Sequence, residues 1–217
     1  MQPYVRLLIA VPTMGDMHPL LVSRLLKWAR EFPQGQVHFY FTFKVTPVDR
    51  ARNQIVEFFL NQRLGEKQEA FTHLLMIDAD TVPPDNAVSK LLSHDKDIIS
   101  ALTPILRYND ENKSWEVYDN CFIAADRDEN GKIIQTHIAQ RDTGLQQIFR
   151  CGTACILIKR EVFDRLSHPY FRFITNEEGT KHTRSEDINF CDMARNRGFD
   201  IWADTSVYCG HHKDLMI

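Results

Sequence analysis

Leu74-Leu75-Met76-Ile77-Asp78-Ala79-Asp80 is the stretch whose reading decides the fold. Four apolar residues followed at once by two carboxylates around one alanine read as a buried strand, His73 to Ile77, that delivers acid groups at its carboxyl end. Asp95-Lys96-Asp97 and Asp126-Arg127-Asp128 share the D-x-D spacing, but neither follows an apolar strand. Working outward, Val5 to Val11 is a second such strand, stopped by Pro12 and Gly15. Leu21, Leu25 and Trp28 then fall on one face of a helix over about Pro19 to Arg30. Val37 to Phe43, rich in aromatic and β-branched residues, is the next strand. Asp49 can cap a helix running to Leu64, with Ile55, Phe58 and Phe59 inward. Pro84-Asp85 opens a short helix through Leu92, and Asp97 to Leu102 makes a fourth strand. This alternation predicts an α/β fold with a mostly parallel central sheet flanked by helices. A ligand then belongs beyond the carboxyl ends of the strands, in the loops after Val11, Phe43 and Ile77.

The second half is less regular. Asn130-Gly131 marks a hairpin turn between strands near Cys121 to Ala125 and Ile133 to Ile138. Cys155 to Lys159 is another apolar strand, followed by a helix from Arg160 to Leu166. Ser167 to Arg184 has no periodicity and reads as a mobile loop. Ser185 caps a helix from Glu186 to Arg197, which Gly198 ends, and Phe199 to Ala203 is a last strand before the tail Gly210-His211-His212-Lys213. With no repeat and no linker, residues 1–217 read as a single domain. A formal charge of −3 leaves no broad basic face for nucleic acid. Leu7 to Val11 is too short for a secretory h-region, and no apolar run has membrane length. Five cysteines without a C-x-x-C pair read as reduced thiols of a cytoplasmic protein.

Five groups of residues carry candidate chemistry. Asp78 and Asp80 can present oxygens to a hard divalent cation, the partner that a diphosphate leaving group requires. Glu186 and Asp187 sit in a helix first turn, where acids are common because they offset the dipole; one of them could also take a proton from an attacking hydroxyl. Either His211 or His212 could complete a site begun by carboxylates. Asp49, Arg52 and Asn53 open the second helix, a natural place for an anion. Gly152-Thr153-Ala154 is small enough to let backbone approach a sugar.

In order along the chain, Pro12-Thr13, Ala51-Arg52-Asn53, Leu75-Met76-Ile77-Asp78-Ala79-Asp80, Cys151-Gly152-Thr153-Ala154, Ser185-Glu186-Asp187 and Cys209-Gly210-His211 resemble the GT-A fold glycosyltransferases, family-2-like members above all. The resemblance implies a Rossmann-like nucleotide-diphospho-sugar transferase fold and a hexosyltransferase-class activity, moving a sugar from a nucleotide-diphosphate sugar, a UDP-sugar by expectation, to an acceptor hydroxyl. It implies Mn2+ or Mg2+ on Asp80 and His211 with support from Asp78, Asp187 as catalytic base with Glu186 positioning the acceptor, and Thr13, Asp49, Arg52, Asn53, Asp78, Gly152 and Thr153 toward the substrate. Inversion at the anomeric carbon is the expected outcome; a retaining transferase, a nucleotidyltransferase and a degenerate nucleotide-sugar-binding module stay open as alternatives. No Q-x-x-R-W motif follows the Glu-Asp pair, which argues against processive polymer synthesis.

Overall fold

A computed structural model of the chain describes residues 4–65, 68–109, 112–129 and 133–212. In chain order the elements are β1 (Leu7–Thr13), α1 (Pro19–Glu31), β2 (Val37–Phe43), α2 (Val48–Asn61), β3 (Arg63–Leu64), β4 (Glu69–Ala70), β5 (His73–Ile77), β6 (Thr81–Val82), α3 (Ala87–Ser93) and β7 (Ile98–Leu102). Then come β8 (Pro104–Asn109), β9 (Ser114–Asp119), β10 (Cys121–Arg127), β11 (Ile133–Ile138), β12 (Leu145–Ile148), β13 (Arg150–Cys151), β14 (Cys155–Lys159) and α4 (Arg160–Arg165). The chain closes with β15 (Ile174–Thr175), β16 (His182–Arg184), α5 (Glu186–Asn196), β17 (Ile201–Tyr208) and β18 (Gly210–His211).

The central sheet has the order β12-β17-β7-β14-β5-β1-β2. β1, β2, β5, β7 and β17 share one direction, whereas β12 and β14 run against them, so the sheet is mixed. The antiparallel β14 between β5 and β7 has a consequence for the site. A strand entering from the carboxyl edge of its neighbours brings the residues before it, Gly152 to Ala154, to the edge where the parallel strands end. Asp78 accordingly donates its main-chain N–H to the Ala154 carbonyl at 3.0 Å.

Alternation along β1 and β5 divides the core. Leu8, Ala10, Leu74 and Met76 pack with Ile55 and Phe59 of α2, Phe163 of α4 and Phe190 of α5. Leu7, Ile9, Val11, Leu75 and Ile77 face the other way, toward Leu21, Leu25 and Trp28 of α1 and Val88 and Leu91 of α3. Covering both faces is why these strands are apolar throughout. Each such side chain contributes about 1.5–3 kcal/mol of burial. Phe58 is only partly buried and stacks on Tyr40 at 4.0 Å.

Several local expectations need correction. Pro47 is the N-cap of α2 and Asp49 falls in its first turn; the helix stops at Asn61 and a short β3–β4 ribbon follows. The segment 167–184 is ordered: Tyr170 and Phe171 are buried, Phe171 stacks on Phe190 at 4.8 Å, and β15 pairs with β16 around a turn organised by the Asn176 side chain. β17 runs on to Tyr208, well past the expected end at Ala203. The β8–β9 hairpin was not anticipated at all. β10 and β11 pair antiparallel as expected, while the turn at Asn130-Gly131 and the end of the tail at Lys213 lie outside the described residues. All five cysteines are buried free thiols, and no helix among the described residues is long and apolar enough to cross a membrane.

Candidate functional site

The carboxyl ends of β1, β2 and β5 enclose a cleft of about 610 Å³. Asp78 and Asp80 form one wall, with Thr13, His18, Val48 and His212 around them. Met14, Met17 and Val45 make much of the remainder apolar. Sequence reasoning missed His18. It is the N-cap of α1: its main-chain N–H donates to the Ala79 carbonyl at 2.9 Å, and its Nδ1 accepts from the Leu20 N–H at 3.3 Å. A His-Pro pair opening an amphipathic run was the available signal. Its ring lies 4.9 Å from that of His212.

Residues far apart in sequence meet beside this cleft. Arg52, only 4% exposed, donates from Nη2 to both oxygens of Asp78 at 2.9 and 3.2 Å, and from Nη1 to Glu186. Burial works against the Arg52 charge, but Asp78 and Glu186 outweigh it and push the pKa up. For Glu186, burial raises the pKa, Arg52 opposes that, and the neighbouring Asp187 adds to it. One guanidinium thus ties β5 to the first turn of α5.

Asp187 turns the other way. Its Oδ1 accepts from the Ser185 hydroxyl and from the Ile188 N–H at 2.7 Å. Ser185 is the N-cap of α5 as expected, yet it bonds Asp187 instead of capping a helix N–H with its side chain. A Cβ on Gly152 would stand 3.5 Å from Asp187 Oδ2 and 2.9 Å from Asn120 Nδ2. Asn120 cannot yield, since it is buried and its Oδ1 accepts from the Thr103 N–H at 3.0 Å. The glycine therefore lets Asn120 and Asp187 approach the β13–β14 connection.

The late histidine arrives by strand pairing. β18 pairs antiparallel with β6, setting His211 opposite Thr81. Its Nδ1 lies 2.6 Å from the Pro104 carbonyl, and its Nε2 lies 3.1 Å from Asp80 Oδ2. A carbonyl only accepts, so Nδ1 carries the hydrogen there and Nε2 is the ring nitrogen turned toward the carboxylate. A carbonyl fixing the distal nitrogen is the usual support of a metal-ligating imidazole. His212, by contrast, sends its main-chain N–H to the Asp80 carbonyl at 2.8 Å.

Among the described residues, no group of three or more His, Cys, Asp or Glu is close enough to hold a metal ion. Asp78, expected to support the metal, instead gives both oxygens to Arg52. The Asp80 and His211 donors fit a hard divalent ion whose remaining ligands come from phosphate and water, the usual arrangement for such ions.

Of the other expected substrate contacts, Asn53 and Thr13 are spent on the protein's own backbone. Asn53 donates to the Asp49 and Phe171 carbonyls at 2.8 and 2.6 Å and accepts from the Tyr170 and Phe171 N–H groups at 2.8 and 3.2 Å. Those four bonds exhaust a side-chain amide. Asp49 lines a neighbouring cavity with Arg50 and His168. The Thr13 hydroxyl donates to the Asp16 carbonyl at 2.9 Å and accepts from the Gly15 N–H at 3.0 Å, shaping the turn at the cleft mouth. Thr153 is 1% exposed, its hydroxyl without a hydrogen-bond partner.

No protein-family model matches the chain, and no curated protein matches it either. Among solved structures, A197 from STIV superposes with a TM-score of 0.61 at 17% identity, covering 97% of this chain and 87% of A197. GalNAc-T7, solved with UDP, GalNAc and Mn2+, gives a TM-score of 0.58 at 12% identity, covering 98% of this chain but 44% of that protein. These likenesses are distant and concern the fold alone, which is mixed α/β.

Proposed function

We propose that the chain is one metal-dependent glycosyltransferase domain that moves a sugar from a nucleotide-diphosphate sugar, a UDP-sugar first among candidates, to an acceptor hydroxyl with inversion. The observation that carries this reading is the double convergence at one sheet edge: Asp78 joined to Glu186 through Arg52, and Asp80 facing His211. Residues from positions 52, 78, 80, 186 and 211 thereby meet at the carboxyl edge of the sheet, the edge where open α/β folds bind ligands.

The largely apolar cleft between β1 and α2 suits a nucleoside, with Asp80 in its wall and His211 beside that carboxylate to hold Mn2+ or Mg2+. That ion, when bound, would neutralise charge on a departing nucleoside diphosphate. UDP and Mn2+ accompany GalNAc-T7, a likeness in fold that makes the pair the first to test. Asp187 accepts the proton of the acceptor hydroxyl as its oxygen attacks the anomeric carbon; the bond from that carbon to the diphosphate oxygen breaks, and the nucleoside diphosphate leaves. The Ser185 hydroxyl and the Ile188 N–H hold Asp187 for this task through Oδ1, leaving Oδ2 toward Gly152.

Isothermal titration with UDP, with and without Mn2+, tests the donor half: metal-dependent binding is expected, and its absence across nucleoside diphosphates would end the transferase reading. Asp187→Asn separates the two halves. It should bind UDP and Mn2+ as the parent does, while transfer in a donor screen falls by about a hundredfold or more. Normal turnover in that variant would remove Asp187 as the base.

A further inference from the structure

A second and larger cavity, about 1040 Å³, runs along the outer face of α5 from Ser185 at its first turn to Asp200 beyond its end. Ser185, Ile188, Asp192 and Arg195, at helical spacing, form its floor; Phe149 and Arg150 form one side, and Arg184 at the end of β16 the other. Its upper end adjoins Asp187, since Ser185 both lines the groove and donates its hydroxyl to that carboxylate.

The charges in this groove do not balance. Arg150 grips Asp192 with two bonds, Nε to Oδ1 at 2.9 Å and Nη2 to Oδ2 at 2.7 Å. Arg184 Nη1 reaches the same carboxylate at 2.9 Å. Two guanidiniums on one carboxylate leave an excess positive charge at a place where Arg150 and Asp192 are only 14% and 16% exposed. Arg195 adds a third cation. Its guanidinium stands over the Phe149 ring, 4.4 Å from the centroid, and that of Arg150 stands 4.5 Å from the same ring. The other acid of the groove, Asp200, lies at the far end, where it accepts from Gln147 at 2.8 Å. Among the described lining residues three arginines, Arg150, Arg184 and Arg195, stand against two acids, Asp192 and Asp200, and the arginines gather about Asp192, with Arg195 in the last turn of α5. Arginine is the side chain suited to bidentate recognition of carboxylate and phosphate.

We infer that this groove is the acceptor subsite, and that the acceptor is a small molecule carrying a phosphate or carboxylate group that Arg184 and Arg195 receive. The acceptor designation rests on the transferase reading; the anion selectivity of the groove does not. An anion anchored along α5 would direct the rest of its molecule toward the first turn, where Asp187 meets a hydroxyl.

The test is a two-dimensional 1H–15N NMR titration of the full chain with glucose 6-phosphate, glucuronate and glucose. Both anionic sugars should shift the amides of Phe149, Ser185, Ile188 and Arg195 and bind about tenfold or more tightly than glucose, the effect of roughly one charge-assisted contact. The tighter of the two identifies the anionic group. Arg184→Ala and Arg195→Ala, both of exposed residues, should each weaken the anionic sugars by about tenfold. Equal binding of glucose, shifts confined to the cleft at Asp78–Asp80, or unchanged affinity in the double variant would each overturn the inference. Titration of the same samples with UDP and Mn2+ reads the other site: failure there, with the groove still binding anions, removes the acceptor role together with the transferase reading.

Discussion

Asp78 and Asp80 leave the same strand two residues apart, yet their surroundings give them different work. Asp78 delivers both oxygens to a guanidinium buried between β5 and α5. Asp80 is 40% exposed at the cleft mouth and faces an imidazole whose far nitrogen is held by a main-chain carbonyl. The contrast teaches that a D-x-D triplet at the end of a strand need not act as one ligand. β5 ends at Ile77 and the chain turns at once, the Thr81 N–H donating to the Asp78 carbonyl at 3.0 Å, so the i, i+2 rule of a strand no longer holds the two side chains on one face and they meet different partners.

The largest effect should come from breaking the buried arm. Arg52→Met removes the cation from between Asp78 and Glu186 and leaves two carboxylates with uncompensated charge. Losing one member of a buried ionic cluster costs about 3–5 kcal/mol, and urea unfolding should show a loss on that scale. A loss below about 1 kcal/mol would mean that the clamp behaves like a surface pair and that the contrast with Asp80 is unfounded.

The exposed arm should respond less in stability and more in binding. His211→Gln takes away the imidazole facing Asp80 together with its bond to the Pro104 carbonyl, so stability should fall by about 1–2 kcal/mol, less than for Arg52→Met. Mn2+-dependent UDP affinity should drop by about tenfold or more, as when a single metal ligand or its support is lost. Equal UDP affinity in variant and parent, with Mn2+ present, would show that Asp80 and His211 form a local pair and nothing more.

The same contrast marks what could be read from sequence. The first half was legible because its signals are local: the apolar runs His73–Ile77 and Val37–Phe43 coincide with β5 and β2, and Leu21, Leu25 and Trp28 are all buried on α1. Asp80 with His211 was legible as a pair of candidates, though not the β18–β6 pairing that joins them. The Arg52 bridge was not legible, because it depends on side chains brought together across 134 positions. Nor was the insertion of β14 between β5 and β7, which no periodicity encodes. The β8–β9 hairpin did leave a trace in Ser114-Trp115-Glu116-Val117, an alternating run, but Trp115 and Val117 stay exposed, so burial gave the pattern no weight. Asn53 shows the converse error: its place beside Arg52 pointed to a ligand, while its amide is spent on pinning Tyr170 and Phe171.

The smallest effect, and the one that sharpens the contrast most, concerns proton uptake at Glu186. Burial raises its pKa above the ordinary 4.5, Arg52 opposes the rise, and Asp187 reinforces it. A carboxyl with a raised folded-state pKa keeps its proton in the native protein at pH values where the unfolded chain has already lost it. Native protein then binds more protons than unfolded protein, and stability falls as pH climbs from about 4.5 through the raised value. Glu186→Gln retains an oxygen for Arg52 Nη1 but has no proton to lose. Compared by urea unfolding from about pH 4.5 upward, the variant should gain on the parent as pH rises, and Mn2+-dependent UDP binding should follow the same pH profile in both. Parallel stability curves would deny the buried arm its proton linkage. A change confined to UDP binding would move Glu186 from the structural side of the site to the side that meets substrate.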